Sequence, residues 1–244
     1  MSSPRRDGAA LSVPASVYSD AVPFPEAEVP MPAAIEEFAR PILIGRSSSH
    51  FTRITRIFAS ELGVDCSFQV VRDLMSSNPE DYGGNPALRI PSLKTRQGVW
   101  FGSLNVCREL SRRSELKPFV VWPEDLDTPV LANAQELALQ AMSTEVALVM
   151  SQMGGAVEGS AHQAKLRTSL MNMMAWLEAN VGAVLAALPA QRDLSYLEAT
   201  LYCLVTHLEF RNVLPTAPYS ELNRFCQQFA TRASVRETAF RFDT

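Results

Sequence analysis

Residues 41–71 carry a pattern that few folds accommodate. Pro41-Ile-Leu-Ile-Gly45 is a short apolar run closed by glycine, which reads as a buried strand. Arg46-Ser-Ser-Ser-His50 is a polar turn, and one of its serines is the natural N-cap of the segment that follows. Phe51, Ile54, Ile57, Phe58 and Leu62 then recur at helical spacing, with Arg53, Arg56 and Glu61 on other faces and Gly63 as the stop. Cys66-Ser-Phe-Gln-Val-Val71 alternates and is rich in β formers, so it is a second strand. A strand, a helix and a strand in this order make a βαβ unit, with parallel strands and a right-handed crossover.

The next stretch extends this unit. Residues 73–86 are dense in turn formers and read as a loop with room for one helical turn. Ala87–Lys94 is extended and broken by Pro91; Val99-Trp-Phe101 follows the Gln97-Gly98 turn as another strand. Leu104, Val106, Cys107 and Leu110 place a helix over Ser103–Arg112. Residues 115–128, with Pro118 and Pro123, read as a linker. From Pro129 the signal is helical throughout. One helix runs to about Met153 and stops at Gly154-Gly155, and a second covers about His162–Asn180. A third opens at the capping box Ser195-Tyr-Leu-Glu198, and a shorter one covers about Ser220–Thr231. The expected organisation is an α/β domain at 41–114 and an all-α domain at 129–244. Six of the 16 prolines fall in residues 1–40, which read as a disordered arm with a possible helical turn at Ala33–Ala39.

Composition removes several classes. Twenty-two basic against 26 acidic residues leave a net charge of −4, which argues against nucleic acid as a partner. No run of about 18 uncharged apolar residues exists, so no membrane span is expected. Cys66, Cys107, Cys203 and Cys226 lie far apart without a CxxC, which suits reduced thiols and a cytoplasmic location. G-x-S-x-G, Walker and Rossmann glycine patterns are missing. His50, His162 and His207 show no metal-ligand spacing, so no metal is expected, and His207 beside Leu204 and Leu208 reads as a packed histidine.

Four local patterns, in this order and spacing, resemble cytosolic, bacterial-like glutathione S-transferases over about residues 41–240. Ile44-Gly-Arg-Ser-Ser-Ser-His-Phe51 resembles the end of that family's first strand and its catalytic Ser/Cys turn. Asn85-Pro-Ala-Leu-Arg-Ile-Pro-Ser-Leu93 resembles the NPxGKVPxL stretch, whose second proline is cis. Val99-Trp-Phe-Gly-Ser-Leu-Asn-Val106 resembles the (L/F)-(E/D)-S-x-x-I segment, and Leu194–Glu198 the capping box of the buried C-terminal helix. The resemblance implies a thioredoxin-like N-terminal domain, an all-helical C-terminal domain and a homodimer. It implies glutathione as co-substrate and a small hydrophobic electrophile as second substrate, in a detoxification role.

The resemblance also implies roles for residues. A bound thiol with a pKa near 8.5 must be held as thiolate, by a hydroxyl donor beside a helix N-terminus. Ser49 is the first candidate donor, followed by Ser48 and Ser47. The expected glutathione contacts are His50, Phe51, Arg89, Ile90, Pro91, Gly102 and Ser103. Ile90 would pair its backbone with the cysteinyl part and Ser103 would hold the γ-glutamyl carboxylate. Gly102 stands where the family carries Glu or Asp, which removes the usual partner of the glutathione ammonium. The plainer alternatives are a polar turn and N-cap without a ligand, a solvated Arg89, and methionines at 142–174 that pack a core rather than line a substrate pocket. At the level of the whole chain, the alternative is a non-catalytic interaction module. Members of the superfamily serve in that way in elongation-factor subunits and stringent starvation proteins.

Overall fold

A computed structural model describes residues 40–154 and 160–243. The arm expected at 1–40, Arg40 apart, and the possible helical turn at 33–39 lie outside the described residues. The described residues belong to one compact unit.

The first half is a four-stranded sheet with two helices. Strand β1 (Ile42–Gly45) leads through α1 (His50–Glu61) into β2 (Ser67–Val70), then β3 (Ser92–Thr95), β4 (Gly98–Phe101) and α2 (Ser103–Arg113). The strand order is β2-β1-β3-β4. β1 pairs parallel with β2, as the single-helix crossover requires, and antiparallel with β3; β3 and β4 form a hairpin. Leu43 and Leu93 of the sheet and Ile54, Ile57, Phe58 and Leu62 of α1 are buried in the main core. That is the apolar stripe read from spacing alone. Gly63 adopts φ +63°, which confirms its role as helix stop.

The second half is helical. Its long helices are α3 (Pro129–Met153), α4 (Ala161–Ala187) and α5 (Tyr196–Phe210); α6 (Ser220–Phe229) and α7 (Ala233–Glu237) follow. Thr128, Ser160 and Ser195 each cap their helix by accepting a backbone N–H, from Leu131, Gln163 and Glu198. α4 continues past the expected end because Val181 and Val184 extend its buried face. It contains an 18-residue window of mean hydropathy 1.3, long and apolar enough by composition to cross a membrane. Here one face of α4 packs against α3, and Glu178 accepts the N–H groups of Glu221 and Leu222 at the start of α6.

Three expectations change. Residues 115–128 hold structure of their own: β5 (Val120–Val121) pairs parallel with β6 (Leu194–Ser195), and Pro123–Asp125 form a 3-10 turn. Two-residue strands are too short to show a period. The capping box at 195–198 is only half formed, because both Glu198 oxygens accept from Arg192 at 2.7 Å instead of closing on Ser195. α7 was not expected, since five residues make little more than one turn.

β1 ends against the first turn of α1. A Cβ built on Gly45 would lie 2.5 Å from both Oγ1 and Cγ2 of the buried Thr52 side chain. Gly45→Ala is therefore expected to destabilise the fold by about 1–3 kcal/mol, measured by urea unfolding. An unchanged midpoint would show that this junction has slack.

Candidate active site

The sheet register collects the candidate residues at one end. Ile44 lies opposite Ser92, and Ser92 lies opposite Phe101. The turn after β1, the Ile90–Pro91 peptide before β3 and the Gly102–Ser103 step after β4 are therefore neighbours. The Gly102 N–H donates to the Pro91 carbonyl at 3.0 Å, and the Ile90–Pro91 bond is cis. Asn85 braces this corner by donating to the Arg89 carbonyl at 2.7 Å. Leu88 takes φ +54° where the NPxGKVPxL pattern has glycine. Its side chain packs against the small Ile44–Val71–Tyr82 cluster.

The serine turn is held from several directions. Ser49 is the N-cap of α1, with extended backbone, and its Oγ accepts the Thr52 N–H at 3.2 Å. A hydroxyl that accepts still has its own proton to give. Ser48 and Ser49 are half-buried, whereas Ser47 is closed in. The Ser47 N–H donates to Asp243 at 2.7 Å. Phe51 is half-buried and meets the His50 ring edge-on. Arg89 and Gly102 are exposed, and Ile90 is half-buried. Ser103 is buried, with its hydroxyl 2.7 Å from the hydroxyl of Tyr196 at the start of α5. Gly102 has φ +81°, and no atom lies within 4 Å of a Cβ built there.

His50 turns inward rather than toward the open corner. It meets Glu145 of α3 and His207 of α5, with the two imidazole rings 4.2 Å apart. The three histidines, remote from one another in sequence, thus yield a close pair. The His207 Nδ1 lies 2.7 Å from Glu145 Oε1 and its Nε2 lies 2.9 Å from the Ser48 carbonyl. His50 Nδ1 approaches Glu145 Oε2 at 3.2 Å but off the N–H axis, so this oxygen and both His50 nitrogens lack a hydrogen bond. Burial, aided by the charge on His207, pulls the His50 imidazole from 6.5 down to about 4, so it is neutral. Burial alone would raise the Glu145 carboxyl; its contacts with His207 and His50 outweigh this and hold it below its ordinary value.

These three residues are also a possible set of metal donors, with donor atoms all within 4.8 Å of one another. Two donors around a tetrahedral ion at 2.0–2.1 Å stand about 3.3 Å apart. The 2.7 Å between His207 and Glu145 is instead the length of a hydrogen bond. Glu145 was missed from sequence. The available signal was its place in the buried stripe Ala134, Ala138, Ala141, Glu145, Leu148 of α3, where a carboxylate needs a partner.

Other nucleophiles are remote or inert. Burial pushes the thiols of Cys66, Cys203 and Cys226 up to about 11, 12 and 12, and Cys107 well above its usual value. Met142, Met173 and Met174 are core residues.

No family model matches the chain, and no curated protein matches it. Solved structures do. A glutathione transferase family member from Pseudomonas fluorescens Pf-5 with bound glutathione superposes with a TM-score of 0.67 at 20% identity, covering 82% of this chain and 99% of that one. A glutathione S-transferase from Methylobacterium radiotolerans, in complex with glutathione sulfonate, gives 0.65 at 16% identity over 84% and 97%. Another from Methylobacillus flagellatus, with glutathione bound, gives 0.64 at 21% identity over 82% and 100%. The chain has the fold of bacterial glutathione S-transferases: a thioredoxin-like domain followed by a helical domain.

The buried histidine makes this fold sensitive to acid. Below pH 6.5 the unfolded chain takes up a proton that the folded His50 refuses until about pH 4. The His50 contribution to stability is therefore full above pH 6.5 and declines as the pH falls toward 4, by an amount on the order of 3 kcal/mol. Glu145 adds to the loss below its ordinary value of 4.5, where the unfolded carboxyl protonates first. Urea midpoints measured from pH about 7 down to about 4.5 are expected to drop steeply for the native chain and less for His50→Leu. Parallel curves would show that His50 is not the group responsible.

Proposed function

We propose that this protein is a glutathione transferase that adds glutathione to a small hydrophobic electrophile, with Ser49 stabilising the thiolate. The observation that supports this most is the convergence of the serine turn, the Ile90–Pro91 peptide and the start of α2 at one end of the sheet. In this reading glutathione lies along Ile90 with its carboxylate at the N-terminus of α2, where backbone N–H groups favour an anion. Its sulfur meets the Ser49 hydroxyl at the N-terminus of α1, where the helix dipole also favours negative charge. The hydroxyl proton is free to point at sulfur while its lone pair caps Thr52. The thiolate then attacks the electrophilic carbon, the new C–S bond forms, and the leaving group departs with its electron pair. In this reading the exposed Arg89 pairs with a carboxylate of the peptide. The high, burial-driven thiol values leave no competing protein nucleophile among the described cysteines. We take the protein to act in the cytoplasm as a homodimer.

A second reading has its own support. Gly102 lacks the family's carboxylate, and the Ser103 hydroxyl is engaged by Tyr196. Both favour an interaction module that keeps the fold without the grip on glutathione.

Retention on immobilised glutathione, followed by turnover of a generic aryl halide, separates the two. Ser49→Gly keeps a residue tolerated at an N-cap and is expected to lower conjugation about 10–100-fold, while Ser48→Ala stays within about twofold. Neither retention nor turnover by the native chain would leave the module reading in place.

Gly102→Glu restores the family's carboxylate in open space but at φ +81°. It is expected to tighten glutathione binding measured by calorimetry, at a cost of about 1–3 kcal/mol in stability. Weaker binding would place the γ-glutamyl arm elsewhere.

A further inference from the structure

Proton counting identifies a device that the thiolate chemistry does not itself require. The His207 Nε2 faces the Ser48 carbonyl at 2.9 Å, and a carbonyl can only accept, so Nε2 carries a proton. The His207 Nδ1 faces a Glu145 carboxyl oxygen at 2.7 Å, so a second proton lies between those two atoms. Glu145 is fully buried, His207 nearly so, and both sit on helices of the second half. The Ser48 carbonyl belongs to the serine turn of the first half, one residue before the α1 N-cap.

We propose that Glu145 and His207 form a buried, proton-sharing ion pair that clamps the serine turn, which makes them positioning residues for Ser49. The inference rests on the thiolate reading for its purpose, and on its own geometry for its existence. With both ring nitrogens protonated, His207 spans from the carboxylate on α3 to the turn on α1. Removing the shared proton leaves a lone pair facing a carboxylate at hydrogen-bond distance, which pushes the ring off Ser48. Adding a proton to Glu145 removes the charge that holds the imidazolium. The clamp therefore needs an ionised Glu145 and a doubly protonated His207 at the same time.

The surroundings fit this assignment. α1 brings neutral His50 and Arg53, and Arg53 bonds Thr206 beside His207. α3 brings Glu145, and the end of α5 brings Arg211, whose charge acts on His50. The segment after α7 lays Phe240 edge-on against the His207 ring at 5.0 Å, with Arg241 and Asp243 beyond it. Glu145 is the carboxylate in contact with the ring, and His50 flanks its second oxygen.

The test uses the full chain without substrate. Imidazole 15N shifts are expected to show His207 protonated on both nitrogens at neutral pH and His50 on one. Glu145→Gln keeps a hydrogen-bonding side chain but removes the charge. It is expected to leave His207 singly protonated and to speed amide exchange at Ser49 and His50 by about tenfold or more. A singly protonated His207 in the native chain overturns the proposal whether or not the variant folds. Unchanged exchange in a folded Glu145→Gln does so too, as does one equivalent of zinc held by the purified protein. The thiolate reading fails differently: glutathione produces no thiolate absorbance while the doubly protonated His207 signature is intact.

Discussion

β1 is hydrogen-bonded on both sides, to β2 in parallel and to β3 in antiparallel register, so its end cannot move independently of the sheet. The chain leaves it at Gly45, where the Thr52 side chain lies too close for any Cβ. The first turn of α1 is thus pressed onto the strand, and the four residues between have little freedom. From this junction the rest follows. The serine cap faces the Ile90–Pro91 corner because β3 pairs with β1. The start of α2 joins them because β4 pairs with β3. The inner face of α1 then falls against α5, which is buried over most of its length.

Such a junction leaves charge inside the protein, and the structure handles it in two ways. Glu145 and His207 compensate each other directly through one 2.7 Å hydrogen bond, and the second Glu145 oxygen, which has none, carries the remaining desolvation cost. Arg53 instead spends its guanidinium on neutral oxygens, those of Thr206, Tyr202 and the Val235 carbonyl, and stacks on the Phe240 ring. Its planar fork and weak hydration make that arrangement tolerable, as a lysine's ammonium would not. Both devices tie the helical half to α1, so the serine turn is braced by residues from α3, α5 and the segment after α7.

What the sequence makes legible follows from range. The strands and helices of residues 42–113 show because their apolar periods are local and long enough to count. The serine turn and Pro91 show because each is a short contiguous pattern. β5 and β6 are two residues each and lie far apart in the chain, so neither length nor spacing announces them. The same reasoning explains the missed carboxylate. Glu145 meets His207 across 62 positions and His207 meets Ser48 across 159. Inspection of the histidines alone therefore sees three unrelated residues. A charged residue inside an otherwise apolar helical stripe is the local trace of such a contact, and Glu145 carries it.

The two hydroxyls at the site illustrate how the same residue type acquires different freedom. Ser49 uses its oxygen as an acceptor for the Thr52 N–H, a role imposed by the helix start, and that role leaves the proton unassigned. Ser103 also stands at a helix start, but Gly102 precedes it as a cap without a side chain, and its hydroxyl meets the Tyr196 hydroxyl instead. Two hydroxyls bonded to each other share a single donor between them, so the pair retains one proton for another acceptor. Ser103 and Tyr196 are both buried, so the pair offers little open hydroxyl surface. A carboxylate arriving at the start of α2 would therefore be held chiefly by backbone N–H groups, with the Ser103–Tyr196 pair behind them. The grip on that end of a ligand would then depend on the seating of α5 against α2, just as the serine turn depends on α5 through His207. One buried helix, α5, thereby touches both the serine turn and the start of α2.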